Sequence, residues 1–218
     1  MDDNDFIREI TISVQRLEAS LPTVVPMTSA AKIPHKVLSW RESLFYRSTE
    51  LSRAALNLYN EKRYTSSVLL IRGQMETTAF MFWLLRRVHI CVKTNSVGDI
   101  DDFLMRGLFG GRDPDSPKLA INVLTAIDHL DKKVSGFRSD YDWLSEFAHP
   151  NSFGTHGSYA KIDEENLRVH FGWDINEQGG SHALSPFYTS LQLFIGYYDK
   201  IADYMEDFQK LCEEDLRR

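Results

Sequence analysis

Cysteine is scarce in this sequence, which contains two in 218 residues, Cys91 and Cys212. They lie far apart, and no CxxC pair occurs. A disulfide framework needs several cysteines and a thiolate zinc site needs closely spaced ones, so the sequence excludes both. Two isolated cysteines are typical of a protein from a reducing compartment.

We also expect neither a secretory leader nor a membrane-spanning helix. Residues 1–5 are acidic where a signal peptide would be basic and then apolar. The longest apolar stretch, residues 68–85, contains Arg72, Gln74 and Glu76, which predicts a buried core helix rather than a membrane span. We therefore expect a cytoplasmic protein that does not contact a membrane.

Acidic residues outnumber basic ones by 31 to 25, which gives a formal net charge of -6. A chain of this charge repels a phosphate backbone, so we expect no non-specific binding to DNA. The cationic stretches at residues 86–93 and 132–138 are more typical of solvated helix ends than of a basic pocket.

No motif of a common cofactor site is present. The segment Gly110-Gly111-Arg112 is not followed by the Lys-Ser/Thr pair of a P-loop, and neither GxGxxG nor GxSxG occurs. We therefore expect no cofactor.

Three histidines lie close in sequence near the predicted turn that follows residue 148. His149, His156 and His170 could converge on a metal together with Asp142 or Glu146. Their spacing matches no known ligand signature, so the sequence predicts no metal site.

What the sequence does have is helical periodicity, with apolar residues recurring at spacings of three, four and seven. Prolines 22, 26 and 34 interrupt it early and predict an extended linker. A period of two appears in residues 158–162 and 167–173, around an acidic turn, and predicts a β-hairpin. The predicted helices cover residues 6–21, 36–62, 65–93, 99–108, 117–134, 138–148 and 185–211.

Local signals set the predicted helix ends. Thr65-Ser66, Ser116-Pro117 and Ser185-Pro186 are typical helix starts, and the glycines at 179–180 predict a loop. Together these signals predict an all-α bundle of five to seven helices with a small β-hairpin insertion near 157–174. We divide the chain into an N-terminal helix with its linker, residues 1–35, and a helical domain, residues 36–218.

Arg72 and Glu76 are the charged residues inside the apolar stretch, and their spacing places them on one face of the helix. A lone buried charge is costly, so each needs a partner, and the order Arg then Glu favours partners on another helix. Two interpretations stay open. The pair could clamp the register of the bundle, or Arg72 could bind an anionic group while Glu76 orients it.

The second polar feature is the end of the helix predicted at residues 138–148. Helical spacing places Arg138, Asp142, Ser145 and His149 on one stripe. A histidine at a helix C-terminus has its protonated form stabilised, which suits a general acid but also a simple complement to the helix dipole. The candidate site residues on or beside this helix end are Tyr141, Ser145, Glu146, His149 and Asn151.

Two segments resemble a bacterial family of unknown function that is placed near the HEPN-like (higher eukaryotes and prokaryotes nucleotide-binding) helical proteins. Residues 69–77 are similar to its Leu-x-Arg-x-x-x-Glu helix, and residues 141–150 to its Tyr-x-x-Leu-Ser-x-x-x-His-Pro element. The resemblance covers residues 36–205 in architecture, but only these two short motifs in residues.

The resemblance implies RNA or a nucleotide as ligand and a homodimer as the assembly. HEPN relatives include metal-independent ribonucleases, in which an Arg and a His four to six residues apart act on RNA. In this sequence Arg138 precedes His149 by eleven residues, about 16 Å along a helix. A ribonuclease would therefore need Arg72 to stabilise phosphate charge, His149 as acid or base, and Ser145 beside them.

Three hypotheses follow. The first is a HEPN-like helical module without catalysis, which binds a ligand or a partner protein in a stress or phage-defence context through Arg72, Glu76, Tyr141, Glu146 and Asn151. The second is a metal-independent ribonuclease centred on Arg72, Ser145 and His149. The third is a helical dimer whose polar features are all structural.

Overall fold

A computed structural model describes residues 1–26, 29–113 and 115–217. Within these ranges the chain forms eight α-helices and one two-stranded antiparallel sheet. The helices are α1 (Asp3–Ala19), α2 (Lys32–Asn60), α3 (Tyr64–Thr94), α4 (Ile100–Phe109), α5 (Val123–Asp131), α6 (Phe137–Glu146), α7 (His156–Tyr159) and α8 (Glu177–Leu216), and the strands are β1 (Ala160–Asp163) and β2 (Arg168–Phe171). The predicted all-α bundle with a hairpin is confirmed, and the eighth helix is the four-residue α7.

Helix α3 lies at the centre of the bundle. It packs most extensively against α8 and α2 and also contacts the shorter α5 and α6. This placement follows from its sequence, because Val68, Ile71, Met75 and Leu84 are fully buried. The apolar stretch that contains Arg72 is thus a core helix, and no helix in the described ranges is long and apolar enough to cross a membrane.

Helix α1 packs on the same bundle, against α2 and α8. Asp2 and Asp5 form a reciprocal capping box at its start, and Ile10, Val14 and Leu17 bury its apolar stripe. Residues 27 and 28 of the predicted linker lie outside the described residues. The division of the chain at residue 35 stays a prediction.

Two predictions made from prolines are wrong: Pro34 does not break the chain, and Pro186 does not start a helix. Pro34 lies in the first turn of α2, where its missing N–H would have no partner inside the helix. Pro186 lies inside α8, which also contains Gly179 and Gly180 instead of the predicted loop. A Cβ added to Gly180 would lie 2.4 Å from the Tyr64 ring, so the glycine serves close packing of α8 on the start of α3.

The predicted cap of α3 and the predicted start of α5 are also wrong. Helix α3 begins at Tyr64 without a side-chain cap, so Thr65-Ser66 lies inside its first turn. Residues 117–122 are not helical, because Gly111 exchanges backbone hydrogen bonds with Lys118 and Ala120. Helix α5 starts later, where the Asn122 side chain accepts the Leu124 N–H at 2.9 Å. Pro114, in the predicted loop before it, is outside the described residues.

The hairpin is confirmed, with Ile162 opposite Val169 and Asp163 opposite Arg168. Ser158 and Tyr159, expected in its first strand, belong to α7 instead. The hairpin packs on α7, between α6 and α8 in the chain.

Candidate functional site

Arg72 on α3 is held by two residues of α6. Its Nε donates a hydrogen bond to Ser145 Oγ at 2.8 Å, and its Nη2 donates one to the Tyr141 hydroxyl at 2.6 Å. The guanidinium also lies over the Tyr141 ring, 4.9 Å from its centroid. Two motifs separated by about seventy residues in sequence therefore meet at one arginine.

Glu76 completes the group. Its Oε1 accepts a hydrogen bond from the Tyr141 hydroxyl at 2.9 Å and lies 3.3 Å from Arg72 Nη2. The pair thus interacts within α3 and also with α6. The contact with α6 is the one that the unfavourable Arg-to-Glu order predicted. The side chains of Arg72 and Glu76 keep 30% and 21% of their exposure, so solvent reaches the group. We call Arg72, Glu76, Tyr141 and Ser145 the α3–α6 network.

Tyr141 is the buried member of this network, with 2% exposure. Burial and the neighbouring Glu76 carboxylate raise its pKa above the ordinary value, and Arg72 opposes them. The hydroxyl therefore stays protonated at neutral pH, donates to Glu76 and accepts from Arg72. Ser145 acts similarly, because its Oγ accepts from Arg72 and donates to the Tyr141 carbonyl at 2.8 Å.

Glu146 and Asn151 form a separate pair at the end of α6. Asn151 Nδ2 donates to Glu146 Oε2 at 2.9 Å, and Asn151 Oδ1 accepts the Gly154 N–H at 3.1 Å. These bonds fix the turn that follows the helix. No hydrogen bond in the described ranges links this pair to Arg72.

His149 does not lie on α6. The helix ends at Glu146, and His149 follows in an exposed turn, so the predicted stripe from Arg138 to His149 is wrong at its last member. Ser145 turns towards α3, while Arg138 Nε contacts both carboxylate oxygens of Asp142 at 2.8 Å. Its Nη1 lies 2.6 Å from Asp128. Arg138 thus pairs with the carboxylates of Asp128 and Asp142 and is not part of the network.

The three histidines do not form a metal site in the described part of the chain. No group of three or more His, Cys, Asp or Glu side chains there is arranged to hold an ion. His170 instead lies 3.6 Å from Asp163, its neighbour on the hairpin.

Two further groups of polar side chains carry no recognisable signal in the sequence. Arg47 Nε on α2 donates a hydrogen bond to Thr77 Oγ1 at 3.2 Å, and Thr77 follows Glu76 directly in the sequence. A second buried charge pair, Arg41 with Glu42, is joined by Tyr198, whose hydroxyl donates to Glu42 at 2.8 Å. Arg41 and Arg47 both lie in a stretch of α2 that is rich in charged residues. The sequence there does not show which charged side chains have partners and which face solvent.

Comparison of the chain with the profiles of known protein families, with curated proteins and with solved structures gives no match.

Proposed function

We propose that this chain is a HEPN-like helical module that binds an anionic ligand, a nucleotide or RNA, at the α3–α6 network and does not cleave it. One observation carries the proposal. Arg72 is fixed through Nε and Nη2, yet its Nη1 makes no hydrogen bond with any described residue, and 30% of the side chain is exposed. A guanidinium fixed in this way is pre-organised to donate to a phosphate or carboxylate.

Binding is favoured over cleavage by the surroundings of His149. A general acid or base works best when a partner orients it, as in the usual pairing of a histidine with a carboxylate or carbonyl. The His149 side chain is exposed beyond the end of α6 and has no hydrogen-bond partner in the described ranges. The network itself needs no proton transfer in order to bind an anion.

The proposal includes a cytoplasmic location, a homodimer and a stress or phage-defence context. Both cysteines are unpaired and buried, which fits a reducing compartment. The homodimer and the context rest on the resemblance of residues 69–77 and 141–150 to HEPN-like proteins. Sedimentation of the purified protein would check the dimer.

The binding test is thermal unfolding with 5′-AMP and with a short single-stranded RNA. A ligand at one hundred times its Kd stabilises a protein by about 2.7 kcal/mol, so saturating ligand should raise the Tm of the parent clearly. Arg72→Gln should remove this rise, measured against the variant's own unliganded Tm. Arg168→Gln, on the exposed hairpin, is the matched control and should keep it.

RNA cleavage is the second arm of the same experiment. The parent and His149→Ala should both leave varied RNAs intact. Cleavage by the parent that His149→Ala abolishes would replace the binding proposal with the ribonuclease alternative. If Arg72→Gln retains the Tm rise, the ligand binds at a site other than the network.

A further inference from the structure

A cleft of about 290 Å³ opens beside the network, between α2, α3, α4 and the segment that leads into α5. Glu76 belongs to the network and also lines the cleft. Trp40 and Phe80 form part of its wall, with ring centroids 5.9 Å apart. A Cβ on Gly107 would lie 2.3 Å from the Trp40 ring, so the backbone of α4 packs directly against the indole and fixes this wall.

Three arginines line the cleft: Arg47 from α2, Arg106 from α4 and Arg112 from the following loop. In the described ranges none of them lies within salt-bridge distance of a carboxylate, although most other arginines of the chain do. Arg47 Nε is held by Thr77 and Arg106 Nε by the Leu119 carbonyl, each at 3.2 Å. These bonds position the two guanidinium groups and leave their terminal nitrogens for a ligand.

Glu76 is the negative charge in the cleft lining, and it is already balanced. Its carboxylate pairs with Arg72 and accepts the Tyr141 hydroxyl. The three arginines therefore give the cleft an excess of positive charge on a protein whose net charge is -6. Such a concave cationic surface attracts and concentrates small anions.

We infer that this cleft binds a small organic anion, one phosphate or carboxylate group carried on an apolar body. The arginines would hold the anionic group by forked hydrogen bonds, while Trp40 and Phe80 contact the body. The volume lies at the small end of ligand pockets, which suits a compact molecule. This inference rests on the proposed binding function and extends its site from Arg72 across Glu76 into the cleft.

Calorimetric titration of the full chain with phenyl phosphate tests the inference. Three further compounds are titrated in parallel. Phenylacetate replaces the phosphate group by a carboxylate, inorganic phosphate lacks the ring, and benzyl alcohol lacks the charge. We expect phenyl phosphate to bind best, because it combines a dianion with a ring, and benzyl alcohol not to bind. A preference for phenylacetate would assign a carboxylate ligand instead.

Arg112→Gln and Arg106→Gln should each weaken phenyl phosphate binding about tenfold, as expected for loss of one charge-assisted hydrogen bond. Both residues are exposed, so the variants should fold. Arg168→Gln should bind like the parent. Absence of binding by phenyl phosphate and phenylacetate, or affinities that neither cleft variant changes, would overturn the inference.

The two proposals can fail separately. If 5′-AMP protects the parent in an Arg72-dependent way but the cleft variants bind phenyl phosphate normally, the cleft is not the ligand site and the network proposal stands. If phenyl phosphate binding depends on Arg112 but 5′-AMP and RNA give no protection, the cleft binds an anion and the nucleotide assignment is wrong.

Discussion

The Tyr141 hydroxyl is one of the two side-chain groups of α6, with Ser145 Oγ, that bond to the central helix α3. The hydroxyl accepts from Arg72 and donates to Glu76, and the ring beneath it is buried. Its loss would leave Glu76 without its hydrogen bond to α6 and Arg72 with Ser145 alone. Unsatisfied polar groups at a partly buried site are costly. The hydroxyl should therefore matter for stability as well as for the shape of the network.

Tyr141→Phe should lower the free energy of unfolding by roughly 1–3 kcal/mol, measured by urea denaturation. Tyr188→Phe is the matched control, because its half-buried ring packs on Phe6 and its hydroxyl has no hydrogen-bond partner in the described ranges. The control should change stability by less than about 0.5 kcal/mol. Equal effects of the two changes would contradict the structural role of the network.

At the residue scale, the sequence located the centre of the network but not its surroundings. A pair of charges inside an apolar helix must find partners, so Arg72 and Glu76 could be singled out from their position in the sequence alone. Arg47, Arg106 and Arg112 could not, since each lies in a segment rich in charge and only the packing of α2, α3 and α4 brings them together.

At the scale of elements, α8 shows how tertiary packing overrides local signals. Its 40 residues continue through two glycines and a buried proline that predicted a loop and a helix start. Gly180 is retained against its poor helix propensity because the Tyr64 ring occupies the space of a side chain. Sequence reasoning placed this helix correctly but began it eight residues too late, at 185 rather than 177.

Gly180→Ala tests this packing directly. Alanine is a better helix former than glycine by about 1 kcal/mol, yet here its Cβ would overlap the Tyr64 ring and should cost roughly 1–3 kcal/mol. Gly196→Ala is the control in the same helix, since its Cβ would meet nothing within 4 Å. Urea denaturation should show destabilisation by the first change and a small stabilisation by the second.

At the scale of the whole molecule, the fold class followed from periodicity, because long amphipathic stretches and one short alternating segment leave few alternatives. What periodicity could not supply was the arrangement around α3. The early end of α6, which puts His149 in a turn, depends on bonds between Asn151, Glu146 and Gly154 that no helical pattern encodes.

The two cysteines report on the integrity of the whole bundle. Both are buried, and burial raises the pKa of Cys91 above its usual value and that of Cys212 to about 12. A thiol reagent at pH 8 should therefore react slowly with the folded protein and rapidly with both thiols in urea, because thiolate is the reactive form. Fast reaction of the folded protein would show that the bundle opens locally around these residues.

The hairpin is exposed, in contrast to the two buried cysteines. Its strands pair with each other, β1 contacts α7, and Leu167 in the connecting turn is 92% exposed. In a Leu167→Cys variant, the exposed new thiol would thus react with a dye before the buried native thiols do. The attached dye would leave the bundle undisturbed. The hairpin turn therefore offers an attachment point, from which tumbling, assembly and encounters with other molecules can be followed without a fusion at either end.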